Sequence, residues 1–365
     1  MVTTTTLAAT LTVDAFGAGD FDSIGEALAA ATSGDTVLVL PGVYGGSTNN
    51  ALSFGGNDIV LRSSGGAQQT RIQHYSQFNS VFHIHEGESR AAVVEGFTVS
   101  NAWGYGCCPV FDIHDASPTI RDCRFIDNYA WGEHHTEGWC GVGSFYRSKG
   151  ALIDCEVRDN SAHCGCGAIG IVDSRVDIQG CVFEGNYDGW EGIGTLYIRD
   201  SPASSITDCL FMRNRGSSSC IYTYGSYLMD VTNCTFVDNG DSSYDGVIHA
   251  GAAAGPVLIT NCIFAFNDVG CVVGDDDDAV FSWCCVYGNT CGDTLGATYV
   301  PSQVMWVDPR FCNIDAQDYT LCANSPCLPY LSGWTDLVGA YDSGCGNCSS
   351  PVKRTSWGSI KAMFR

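Results

Sequence analysis

The stretch Ile120-Arg-Asp-Cys-Arg-Phe-Ile-Asp-Asn128 sets a pattern that this chain repeats: an apolar residue, two residues, Cys, one residue, Phe or Val, two residues, Asn. The next copies are Leu152, Cys155, Val157, Asn160; Ile178, Cys181, Phe183, Asn186; and Ile206, Cys209, Phe211, Asn214. Val231, Cys234, Phe236, Asn239; Ile259, Cys262, Phe264, Asn267; and Phe281, Cys284, Val286, Asn289 complete the series. Successive copies start 32, 26, 28, 25, 28 and 22 residues apart. A repeat of this period means a solenoid.

The alternation around Cys and Phe or Val is that of a strand. Asp122, Asp154, Gly180, Asp208, Asn233 and Asn261 each precede a motif Cys, and Asp, Asn and Gly enter left-handed backbone at low cost. Each copy therefore reads as corner, short strand, corner, with Cys and Phe or Val inward. Stacked coils would carry a Cys ladder, an apolar ladder and an Asn ladder, the last passing amide hydrogen bonds from coil to coil.

This arrangement resembles the right-handed parallel β-helix of the pectin-lyase-like superfamily, over roughly residues 35–310. The resemblance implies an all-β, three-sheet solenoid. Val94, Phe97 and Val99 stand in the same frame one coil before the first Cys copy, and the segments 35–44 and 58–62 read as opening strands. About ten coils follow, a rod on the order of 50 Å long.

Four regions are expected: a strand and capping helix (1–34), the solenoid (35–307), a Cys-rich cap (308–350) and a tail (351–365). Both ends of a solenoid need covering. Ser23-Ile-Gly-Glu26 reads as a capping box, with Ile24, Ala27, Leu28 and Ala31 on one apolar helix face and Gly34 ending the helix. The opening 20–44 resembles that of secreted β-helices, pectin methylesterases included. The segment 308–327 resembles the closing segment of bacterial secreted β-helix repeat proteins. Pro351-Val-Lys-Arg-Thr-Ser-Trp-Gly-Ser-Ile-Lys-Ala-Met-Phe-Arg365 resembles a C-terminal sorting tail.

Twenty of the 21 cysteines, all but Cys285, fall into two groups. Those of the repeat are expected to be buried, unpaired thiols. Cys107, Cys108, Cys140, Cys164, Cys166, Cys220, Cys271, Cys291, Cys312, Cys322, Cys327, Cys345 and Cys348 are expected in disulfides, which places the protein outside the cytoplasm, secreted or at the cell surface. A zinc site on Cys345-Gly-Asn-Cys348 with Cys312 or Cys322 is the alternative for the C-terminal group. No basic, apolar leader opens the chain, and Met1 is read as replacing a removed one. No apolar run is long enough for a transmembrane segment.

A net charge of −23 argues against nucleic acid as partner and against unaided binding of an acidic polysaccharide, leaving a neutral glycan or a bridging cation; the alternative is simply a solvated acidic surface. The variable insertions follow the motif Asn and should therefore share one side of the rod. There Trp131, Trp139, Tyr187, Trp190, Tyr222, Tyr224 and Tyr244 are candidates to stack on sugar rings. Glu133, His134, His135, Glu137, Asp188 and Glu191 are candidate acids, bases or ligands, with His163 nearby. A carboxylate pair could serve glycoside hydrolysis. Asp275, Asp276, Asp277 and Asp278 are a candidate Ca²⁺ site without EF-hand spacing, or simply an acidic turn.

The superfamily's catalytic signatures are missing. No paired Asp and Arg blocks of a pectin methylesterase follow Tyr44. Neither the pectate-lyase Arg-x-Pro-x-x-Arg nor the polygalacturonase Asn-Thr-Asp occurs. The resemblance therefore implies fold rather than activity. The expectation is a β-helix that binds polysaccharide or a cell-surface glycan, and cleaves it if the carboxylates converge. The alternative is a non-catalytic adhesive rod, including one that self-associates end to end.

Overall fold

A computed structural model describes residues 8–74, 76–132, 140–189, 192–216, 220–226, 228–240, 246–251, 256–274, 279–290, 298–299, 301–329, 331 and 333–348. The chain winds into a parallel β-solenoid of about eleven turns. Sheet I holds twelve strands and runs from Thr10–Val13 to Thr298–Tyr299. Sheet II, entered past the Cys corner, holds eleven, and sheet IV, from Phe82–Ile84 to Val272–Gly274, holds eight. A short fourth sheet was not foreseen. The five strands of sheet III begin just past the Asn positions, from Trp103–Tyr105 to Arg215–Gly216.

Register follows the repeat. Phe125 pairs with Val157, Val157 with Phe183, Phe183 with Phe211, Phe211 with Phe236, and Phe236 with Phe264. The inward rings of Phe183, Phe211, Phe236 and Phe264 stack at 4.8 Å between successive centroids. That spacing is the separation of neighbouring strands, so each ring repeats its neighbour's rotamer. The motif cysteines are buried thiols. Burial pushes Cys155, Cys209, Cys234 and Cys262 well above the ordinary cysteine value. They are packing groups with weak S–H donors.

The corners are left-handed at the residue before the ladder residue. Asp122, Asp154 and Asp208 precede Cys, and Asp127, Asp159 and Asp238 precede Asn, all with φ between 51° and 58°. The Asn is thus an inward residue beside the corner rather than the corner itself. The Oδ1 of Asn186 accepts from the Asn160 N–H (3.1 Å) and the Asn160 amide (3.0 Å), while its own amide donates to Val157 O (2.9 Å) and Asn214 Oδ1 (3.0 Å). The same pattern runs from Asn128 to Asn289. A third corner carries a ladder absent from the repeat as first read. Ser148, Ser174, Ser201 and Ser226 follow left-handed Arg147, Asp173, Asp200 and Gly225, and the N–H of each of the first three donates to the next serine hydroxyl at 2.9–3.1 Å.

At the N-terminal end, helix α1 (Ile24–Ala30) buries Ile24, Ala27 and Leu28 in the core. Ser23 caps it by accepting from the Glu26 N–H. The helix closes at Ala31, with Gly34 left-handed three residues on. The described residues of 308–348 lie along the flank of sheet II, where Phe311, Tyr319, Leu321 and Leu328 pack on Leu210, Met212, Val237 and Ile263.

Disulfides join Cys312 to Cys345, Cys322 to Cys348, and Cys140 to Cys166. The C-terminal cysteines expected either in disulfides or around zinc are thus disulfide-bonded. Cys107, Cys108, Cys164, Cys220, Cys271 and Cys327, expected in disulfides, are thiols. All but Cys107 are buried, and they behave like the ladder cysteines. Cys291 and the tail 351–365 lie outside the described residues.

Candidate functional site

Because side chains alternate across a strand, each sheet presents rows of outward residues in register. On sheet III one row is Trp103, Tyr129, Ser161, Tyr187 and Arg215, and the next holds Tyr105 and Trp131. Trp103, Tyr105 and Tyr187 are exposed, and Trp131 lies 4.0 Å from the His163 ring. The inward row is Gly104, Ala130, Ala162, Asp188 and Gly216. These small residues let the chain turn closely over the core.

Asp188 is therefore buried, and it accepts from the Gly194 N–H at 2.8 Å. A Cβ on Gly216 would fall 1.4 Å from the Asp188 carboxylate, so glycine is required there.

Sheet IV continues the surface. Its outer rows are His83, Asp112, Ser144, Gly170, Tyr197, Tyr222 and His249, and beside them His114, Tyr146, Val172, Arg199 and Tyr224. Tyr222 and His249 stack at 4.5 Å, and His114 and Tyr146 at 4.7 Å. Gly170 leaves room for the Cys140–Cys166 disulfide, since a Cβ there would meet Cys140 Sγ at 2.9 Å.

Between the turn after Tyr105 and sheet IV lies a cleft of about 410 Å³, lined by Cys107, Cys108, Asp112, His114, Ser144 and Tyr146 among others. Arg147 donates to both Asp115 oxygens (2.6 and 2.5 Å), and Nδ1 of His114 lies 2.8 Å from Asp115 Oδ2. The Arg147 guanidinium holds Asp115 below the usual carboxylate value. Burial first, then the Asp112 charge, raises Cys107 to about 11 and Cys108 to about 12, so both are neutral thiols rather than nucleophiles.

Trp131 and Tyr187 thus share one sheet, Tyr222 and Tyr224 stand on the next, and Asp188 lies beneath. Glu133, His134, His135, Glu137, Trp139, Trp190, Glu191, Tyr244, Asp275, Asp276, Asp277 and Asp278 lie outside the described residues. Sequence reasoning missed His83, His85, Asp112, His114 and Tyr146. The available signal was polar–apolar alternation, in His83-Ile-His85 and Asp112-Ile-His114, one coil apart.

The family description "Right handed beta helix region" matches residues 135–255. Pectate lyase Pel9A is similar in fold at 14% identity, covering 93% of this chain and 97% of that one, with a TM-score of 0.57. Agl-KA catalytic domain aligns at 12% identity over 88% of this chain and 64% of its own, with a TM-score of 0.39. The GH87 α-1,3-glucanase catalytic domain in complex with tetrasaccharides aligns at 12% identity over 78% and 67%, with a TM-score of 0.36. No curated protein matches the chain in sequence. The chain has the fold of a right-handed parallel β-helix.

Proposed function

We propose that the protein binds a neutral polysaccharide lengthwise across sheets III and IV, outside the cytoplasm. The observation that carries this reading is the set of outward rings spread over several coils of two neighbouring sheets: Trp103, Tyr105, Trp131 and Tyr187, then Tyr146, Tyr222 and Tyr224. Aromatic faces offer the C–H faces of pyranose rings a stacking surface, and rings placed on successive and nearby coils of a rod suit a linear polymer. The net charge of −23 disfavours a polyanion. The full-length likeness to a β-helix named as a pectate lyase is consistent with a glycan ligand, and the three disulfides with an oxidising location.

Affinity electrophoresis against neutral and acidic polysaccharides tests the reading. Retardation by a neutral glycan, weakened about tenfold in Tyr187→Ala and Tyr224→Ala, is the expected result, each ring contributing about 1 kcal/mol or more. Absence of retardation by any neutral glycan, or retardation of both variants equal to that of the wild type, overturns it. Product analysis on the same glycan then separates binding from cleavage. Should the polymer shorten, Glu133→Ala and His135→Ala test the candidate acid and base.

A further inference from the structure

His83 lies on the strand Phe82–Ile84 and His85 directly follows its end, two residues from His83, and Asp112 pairs directly with His83 on the next coil. The register thus gathers three ligating side chains. Nε2 of His85 lies 3.1 Å from Asp112 Oδ2, and Nδ1 of His83 lies 4.0 Å from the same oxygen. One ligand atom from each of the three falls within 4.8 Å of the others. With metal–nitrogen and metal–oxygen bonds of 2.0–2.2 Å, tetrahedral ligand atoms stand roughly 3.4 Å apart, so small side-chain rotations complete the geometry.

His85 Nε2 is buried and makes no hydrogen bond of good geometry. The two imidazoles lie 3.6 Å apart between centroids. His114, the next ring at 5.5 Å, is already engaged, with Nδ1 near Asp115 and Nε2 3.1 Å from Arg147.

We propose that His83, His85 and Asp112 bind a divalent transition-metal ion of the zinc class. Two neutral imidazoles and one carboxylate suit zinc and its neighbours, whereas Ca²⁺ takes six to eight oxygens. Three protein ligands would leave a fourth coordination position for water or substrate, and Asp112 is also part of the cleft lining. The site stands independently of the polysaccharide reading.

The test is metal binding by the purified, disulfide-intact chain after chelator treatment. Titration with Co²⁺ should give visible d–d bands without a thiolate-to-cobalt charge-transfer band, and Zn²⁺ should displace it stoichiometrically. His83→Gln, His85→Gln and Asp112→Asn should each weaken binding more than about tenfold, because losing a ligand exceeds losing an outer-shell partner. Cys107→Ser should retain it, and excess Ca²⁺ should fail to compete. Affinity unchanged in the three variants, a thiolate band, or equal competition by Ca²⁺ overturns the assignment. Native circular dichroism of each variant, with wild-type affinity or weaker, makes either outcome readable.

Discussion

Replacing Asn186 by Ala is expected to cost far more than replacing Cys181 five residues earlier, although both ladders are equally regular in sequence. The Asn186 side chain satisfies three buried groups: the Val157 carbonyl, the Asn160 N–H and one hydrogen of the Asn160 amide. Asn214 Oδ1 keeps a partner in the Asn186 backbone N–H at 3.0 Å, so it does not add to the loss. Three orphaned groups at about 1–3 kcal/mol each, partly relieved by relaxation, give about 3–6 kcal/mol. Cys181→Ala removes one sulfur that donates weakly to the Gln179 carbonyl at 3.3 Å and the Leu152 carbonyl at 3.6 Å and accepts weakly from the Cys155 N–H at 3.4 Å, for about 1–2 kcal/mol. Guanidinium unfolding followed by circular dichroism measures both. Since solenoid coils need not unfold together, hydrogen exchange on the coils of Asn160 and Asn214 localises the damage. An Asn186→Ala variant within about 1 kcal/mol of wild type, or a Cys181→Ala variant that loses more, would refute the claim that Asn fixes the coil and Cys fills it.

Gly216→Ala places a Cβ on the Asp188 carboxylate at a φ of 138°, so it should not accumulate as folded protein, whereas Gly34→Ala, with nothing within 4 Å, should fold with only the strain of its left-handed φ; soluble yield and thermal unfolding distinguish them. Gly170→Val should block the Cys140–Cys166 bond and expose two additional thiols to a thiol reagent under mild denaturation. Reduction should release residues 308–348 from sheet II before the coils open, because each C-terminal disulfide closes a loop of about 30 residues and contributes roughly 3–4 kcal/mol in the chain-entropy account; amide exchange of Phe311 and Leu321 reads this. Burial lowers the His74 pKa below 6.5 against the Asn79 carbonyl bond, so the unfolded chain takes up the proton first and stability should fall as pH drops from 6.5 through the depressed folded value; His74→Gln should flatten that slope in unfolding midpoints measured across pH.

The fold was legible because burial applies the same demand at every turn. An inward position must be apolar and of one size, so Ile120, Leu152, Ile178, Ile206, Val231 and Ile259 recur in register. The Asn ladder recurs because each member serves its predecessor. The Ser ladder was harder to see, since Ser148, Ser174, Ser201 and Ser226 stand among other small polar residues that mark no strand. Sheet III was missed because its strands are two or three residues long, too short for alternation to declare itself. The disulfide expectation failed at Cys108, Cys164, Cys220, Cys271 and Cys327 because burial hides a cysteine as readily as pairing does, and sequence does not separate the two.

The outer surface obeys a different rule, and this explains why the site stayed hidden. Nothing forces one outward residue to repeat its neighbour above, so the row His83, Asp112, Ser144, Gly170, Tyr197, Tyr222, His249 changes chemistry at nearly every coil. A search for repetition passes over such a row because function breaks the period. The ladders nevertheless fix where each member stands. With inward registers set by Phe, Asn and Ser, the spacing between coils is constant, and His83 and Asp112 meet although 29 residues separate them. The rod thus supplies a lattice on which single substitutions can create or remove a site without disturbing the core. His83→Gln and Asp112→Asn should consequently leave the Asn and Phe ladders, and the unfolding midpoint of the metal-free chain, within about 0.5 kcal/mol of wild type, while a change of the same size at Asn186 disrupts the coils around it.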